Sequence, residues 1–207
     1  MTRKNIYIIG AQSTGKTTLV NALEALYKVA NDTDRSEKSL PRPFIIREVA
    51  RTVLKDKGFT REDIIASPSR ALQLQKHILN AQREAEATAS KDASLSWYIC
   101  DRSGLDPIVY TQLFVGAKAT EDMLASEAWK ELEANMKAGI VVLCEAGCSW
   151  LIDDGTRLMP DDLEAWMRID AAFRRLLEVR GIDYTVIPKG MASLDERVYA
   201  VRSATSA

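Results

Sequence analysis

Five short apolar runs without helical period punctuate the chain, and between them apolar residues recur at three- and four-residue spacing. The first run, Lys4 to Gly10, is stopped by glycine and suits a buried central strand of a parallel sheet. From Gly15 to Ala30 the residues Leu19, Val20, Leu23, Leu26 and Tyr27 share a helical face. Residues 31 to 42 are polar, close on Pro41 with Pro43 just beyond, and read as a solvated loop. Phe44 to Glu48 is a second strand, and a helix follows it. Ser67-Pro-Ser then opens a long amphipathic helix carrying Ala71, Leu72, Leu74, Ile78, Leu79 and Ala85, which ends near Ser90.

Trp97 to Asp101 reads as the third strand, and two helical patterns lie between Leu105 and Ala138. Gly139 to Glu145, rich in β-branched residues, is the fourth strand. A loop over 146–160 leads to a helix opened by Pro160 and running through Leu177. Tyr184 to Ile187 is the fifth strand, and the last helix carries Leu194, Val198 and Val201 on one face. Strands alternating with helices predict an α/β fold with a five-stranded parallel sheet between helical layers. A chain of 207 residues with 46% hydrophobic composition can bury one substantial core, so one domain is expected over 1–207.

Charge narrows the partners. With 28 basic and 29 acidic residues the net charge is -1, which gives no bulk reason to bind nucleic acid or an anionic membrane. Cys100, Cys144 and Cys148 lack paired CxxC spacing, so neither a disulfide framework nor a zinc site is expected. No apolar run approaches the length of a membrane span. The first residues run directly into a strand, leaving no room for a signal peptide, and the expected location is the cytoplasm.

The densest chemical signal lies between the first strand and the first helix. Gly10-Ala-Gln-Ser-Thr-Gly-Lys-Thr17 fits the P-loop pattern at every fixed position. The glycines allow a tight turn, after which backbone N–H groups from about Gln12 to Thr18 can converge on one concavity at a helix N-terminus, where the helix dipole also favours phosphate. Lys16 would reach the β- and γ-phosphates of a nucleoside triphosphate. Thr17 has the hydroxyl for a magnesium ion, and Ser13 and Thr14 offer further donors.

The second acidic site decides which kind of P-loop protein this is, and Glu48, Asp101 and Glu145 all end strands. Asp101-Arg-Ser-Gly104 formally matches a GTPase D-x-x-G switch, but no Asn-Lys-x-Asp guanine-reading segment follows. Val141 to Glu145 is an incomplete version of the strand that ends in paired acids in remodelling ATPases. Asp101-Arg102-Ser103 resembles the Glu-Arg-Ser and Asp-Arg motifs of deoxynucleoside and thymidylate kinases. Trp150-Leu-Ile-Asp-Asp154-Gly155-Thr-Arg157 resembles the Pro-Trp-x-x-Asp-Gly-x-Arg stretch of the NadR-type nicotinamide riboside kinase domain, with Ser149 in place of the proline. Arg47-Glu48-Val-Ala-Arg51 resembles its Arg-Glu-Tyr-x-Arg, with Val49 in place of the aromatic. Together with Asp101 to Tyr110 and Leu143 to Gly147, the chain resembles fungal members of the NadR-like AAA domain family from about Lys4 to Val201.

That resemblance implies a kinase-like strand order 2-3-1-4-5, a helical lid after strand four, and transfer of the γ-phosphoryl group from Mg-ATP to a hydroxyl of a small-molecule acceptor. Lys16 and Arg157 would then neutralise the transferring group, and Thr17 and Asp101 would hold magnesium. Arg102 would steady phosphate or acceptor, and Glu48 would take the acceptor's proton. Arg51 and Gln82 would join Glu48 and Arg102 around the acceptor. Plainer readings stand beside these. Asp101 could cap a helix, Glu48 could merely pair with Arg51 or Arg47, and Gln82 could face solvent. Arg157 could be an ordinary loop arginine, Trp150 a hydrophobic anchor and His77 a structural residue. The competing function is a nucleotide-binding switch or scaffold that docks a protein or lipid.

Overall fold

The computed structural model describes residues 4–33, 42–60, 67–91, 97–149 and 162–205. Five parallel strands run in the order β2-β3-β1-β4-β5. They are β1 (Ile6–Ile9), β2 (Phe44–Ile46), β3 (Tyr98–Asp101), β4 (Ile140–Cys144) and β5 (Tyr184–Ile187). The eight helices among the described residues are α1 (Lys16–Thr33), α2 (Val49–Lys57), α3 (Pro68–Lys91), α4 (Leu105–Phe114), α5 (Ala117–Leu124), α6 (Glu127–Ala138), α7 (Leu163–Arg180) and α8 (Leu194–Ala204).

β1 is central because all four of its side chains can be buried at once. Tyr7 and Ile9 point into one core with Cys100, Val141 and Leu143, covered by α3, α4, α6 and α7. Ile6 and Ile8 point into the other with Ile99, Val142 and Cys144, covered by α1 and α8. The period of two along a pleated strand thus makes an apolar run serve two layers. At the carboxyl edge, the register pairs Ile8 with Asp101 and Ile9 with Leu143, so the end of β1 opens between the ends of β3 and β4. Open α/β sheets place their ligand crevice there.

The predicted elements recur with shifted ends. The Ser67 hydroxyl accepts from the Arg70 N–H, with Pro68 in the first helical position, so α3 starts where the capping signal lay. The helical pattern before Ala138 resolves into three helices rather than two, because Gly116 and Ser126 break it. α7 begins at Leu163, since Asp162 has extended backbone angles and its carboxylate accepts from the Ala165 N–H, and the expected opening at Pro160 lies outside the described residues. α2 follows β2 so closely that Glu48, expected to end the strand, occupies the N-cap position of α2. The polar loop after α1, and the expected lid after β4 with Trp150, Asp154, Gly155 and Arg157, lie outside the described residues.

Candidate active site

The segment between β1 and α1 is bent by three left-handed residues, Gly10 at φ 129°, Ser13 at 59° and Gly15 at 76°. At Gly10 a Cβ would come within 2.5 Å of the Cys144 carbonyl oxygen, so the loop's close approach to β4 requires glycine. Four successive carbonyls of the loop are engaged by side chains. Ala11 O accepts from Thr14 Oγ1 at 3.0 Å and from Lys16 Nζ, and Gln12 O accepts from Trp166 Nε1 at 3.0 Å. Ser13 O takes a weak contact from Cys148 Sγ at 3.7 Å, and Thr14 O accepts from Arg197 Nη2 at 2.7 Å. Each trans peptide points its N–H opposite to its carbonyl. The N–H groups of residues 12 to 15 therefore face away from these anchors, which is the arrangement of an anion-binding nest.

Lys16 opens α1 and is buried. Burial, helped by the nearby Arg102 guanidinium, pulls its ammonium down to about 8. The next residue, Thr17, donates its hydroxyl to Asp101 Oδ2 at 2.7 Å, joining the start of α1 to the end of β3. Asp101 Oδ1 is buried with no hydrogen-bond partner among the described residues. An orphaned carboxylate oxygen costs on the order of 1–3 kcal/mol or more, and here it sits beside a hydroxyl that can also ligate a cation. These two groups fit a magnesium ion by the chemistry of their donors. Asp101 is not a helix cap. The N-cap of α4 is Gly104, and the turn before it is held by Ser103, whose Oγ accepts from the Leu105 N–H at 3.1 Å, and by Asp106, whose Oδ2 accepts from the Ser103 N–H at 2.9 Å.

Arg102 continues the ladder by donating its N–H to Ile8 O at 3.0 Å, yet its φ is 84°. Left-handed geometry in a residue with a Cβ costs about 1–2 kcal/mol. The guanidinium recovers this through Glu48 Oε1 at 2.7 Å and Asp106 Oδ1 at 3.0 Å. Burial opposes its charge, but these two carboxylates outweigh that and raise it above the ordinary arginine value. Asp106 is itself pushed up by burial, with Arg102 and Lys16 pulling the other way. Glu48 Oε2 takes a second bond from Arg51 Nε at 2.8 Å, while Arg47 turns to Asn21 and Glu24 on α1. Glu48 therefore has both its plain partner, Arg51, and a place in the buried Arg102 cluster.

Gln82 does not face solvent. It is fully buried, donating Nε2 to Glu86 Oε1 at 2.9 Å and to Cys100 Sγ at 3.5 Å, and its Oε1 has no partner among the described residues. His77 packs its ring against Phe59, as a structural residue does. Glu145 turns away from Thr17, accepting from Arg174 Nη2 at 3.2 Å and the Lys189 N–H at 2.8 Å. That leaves Asp101, on β3, as the carboxylate paired with the phosphate loop, and removes the support for a remodelling-ATPase strand at β4. Sequence reasoning missed Asp106, Tyr110, Trp166 and Arg197. Tyr110, whose hydroxyl donates to Gln12 Oε1 at 2.7 Å, lies two turns beyond Ser103 on α4. Asp106 was recoverable from its four-residue spacing to Arg102, whereas nothing local marks the distant Trp166 and Arg197.

A family model described as AAA domain matches residues 5–197. The chain belongs to this AAA domain family. Among solved structures it resembles the NadR protein in complex with NR, at 17% identity and a TM-score of 0.73, covering 100% of this chain and 52% of that one. It thus spans about half the length of the NadR chain. The deoxyadenosine kinase of M. mycoides with bound dATP matches at 14% identity and a TM-score of 0.68, with 98% and 100% of the two chains covered. Thymidylate kinase from Ehrlichia chaffeensis matches at 15% identity and a TM-score of 0.61, with 97% of each covered. No curated protein matches. The fold of this AAA domain is thus a P-loop kinase fold, and no helix among the described residues is long and apolar enough to cross a membrane.

Proposed function

We propose that this AAA domain is an ATP-dependent small-molecule kinase, phosphorylating a hydroxyl of a nucleoside-like or other hydroxylated metabolite. The observation that carries the reading is the cluster of half-buried Glu48 with buried Arg102 and Asp106, next to the paired Thr17 and Asp101. A carboxylate and a cation are held at the edge of the phosphate loop, where in-line transfer requires a base and a positioning charge. A nucleotide switch needs the grip but no such acceptor-side pair.

Mg-ATP, when bound, would supply the phosphoryl group and a metal charge to offset the phosphate oxygens. Thr17 Oγ1 and the Asp101 carboxylate are the groups that would hold that metal. The Gly10 to Thr18 amides hold the phosphates. Lys16, released from Ala11 O, adds its ammonium to them, and Arg157 contributes a second cation from the segment after β4. Arg102 and Arg51 orient Glu48, which accepts the proton of the acceptor hydroxyl. The Gln82 carbonyl oxygen and the Tyr110 hydroxyl offer polar contacts that fix the acceptor.

Purified protein incubated with Mg-ATP and a panel of nucleosides, nicotinamide riboside and other hydroxylated metabolites should give an acceptor carrying one added phosphoryl group by mass spectrometry. A broad panel without product, together with tight retention of nucleotide, would favour the switch or scaffold.

A further inference from the structure

Three basic side chains are buried among the described residues: Lys16 at 4% exposure, Arg102 at 9% and Arg197 at 5%. The first two belong to the site already described. Arg197 comes from α8, 183 residues along from Thr14, and its Nη2 donates to Thr14 O at 2.7 Å. Its Nη1 lies 2.5 Å from where a Cβ on Gly15 would stand, so the guanidinium is in close contact with that peptide. Burying a guanidinium is expensive, and three of them or their ammonium equivalent around one loop is a concentration of positive charge with a purpose.

The peptide between Thr14 and Gly15 links Arg197 to the nest. Its carbonyl accepts from the cation on one side, and its trans geometry turns the Gly15 N–H to the other. A carbonyl that accepts a charged donor polarises its own peptide, making the N–H on the far side a stronger donor to an anion. We infer that Arg197 is a positioning residue of the triphosphate site: from behind the loop it fixes and polarises the Gly15 amide and adds long-range positive charge, so that the C-terminal helix sets the affinity for phosphates. This rests on the cradle binding a nucleoside triphosphate and is independent of whether an acceptor is phosphorylated.

The test uses the full chain and a ribose-labelled fluorescent ATP, displaced in turn by Mg-ATP and by inorganic tripolyphosphate, which has neither base nor sugar. R197M should weaken both competitors by the same factor, about tenfold or more. R197Q, which keeps a neutral donor, should fall between R197M and wild type, and R197K should recover most of the affinity. Wild-type affinities in R197Q, or a loss for ATP with tripolyphosphate unchanged, would overturn the inference. Should R197M unfold, the comparison of R197Q with R197K decides alone, since the two differ in charge. Failure of the wild-type protein to bind Mg-ATP would instead defeat the kinase reading itself.

Discussion

Lys16 shows how a single residue can be legible in sequence and still acquire its chemistry only from the fold. Its place in the motif was plain, but the lowering of its ammonium to about 8 comes from burial and Arg102, neither visible locally. The cationic form binds phosphate, so ATP affinity should be level below about pH 8 and fall as pH rises through it, by at most about tenfold per unit. Titrations between neutral and alkaline pH would show this inflection, and Lys16→Ala should abolish it together with most of the affinity. Retention of wild-type ATP affinity in Lys16→Ala would refute the cradle. Asp101 was likewise legible, whereas its exclusion from helix capping was not: the motif Asp-Arg-Ser leaves open which polar side chain turns back, and Ser103 and Asp106 bond to each other's turn while Gly104 is the N-cap. At Asp106, replacement by Asn should leave nucleotide affinity intact but slow turnover about tenfold or more, because Arg102 loses one of its two carboxylates and Glu48 its fixed partner.

Among the elements, strands and long helices were readable because burial imposes period two on one and a stripe on the other. Boundaries were not. The stop of α7 depends on Gly181 at φ 61°, and its start on the Asp162 carboxylate, both end effects of a few atoms. Two glycines separate local strain from site geometry. At Gly181 an added Cβ meets nothing within 4 Å, so Gly181→Ala should cost only the left-handed backbone, about 1 kcal/mol in urea unfolding, with nucleotide binding unchanged. At Gly10 the same change meets the Cys144 carbonyl at 2.5 Å, so Gly10→Ala should displace the loop and abolish nucleotide binding. Equal effects of the two substitutions on binding would mean that the loop's approach to β4 does not matter.

For the molecule as a whole, the parallel sheet follows from the pattern and its strand order from the resemblance, but the polar contacts between layers follow from neither. Glu86 on α3 is buried and accepts from Gln82, Tyr7, Tyr98 and Asn135, tying α3 to β1, β3 and α6. Glu86→Ala would remove the acceptor that four donors share and should cost about 3 kcal/mol or more in urea unfolding. Trp166 and Arg197 similarly bring α7 and α8 to the phosphate loop across more than 150 residues, a closure that only the folded sheet can specify. What this assembly is for is tested most directly by single-turnover phosphoryl transfer to the best acceptor in the panel, comparing wild type with Glu48→Gln while ATP affinity is measured on the same samples. The expected result is a rate at least about a hundredfold lower with ATP affinity unchanged. Equal rates in the two proteins would contradict the assignment of Glu48 as the base and, with it, the acceptor half of the site.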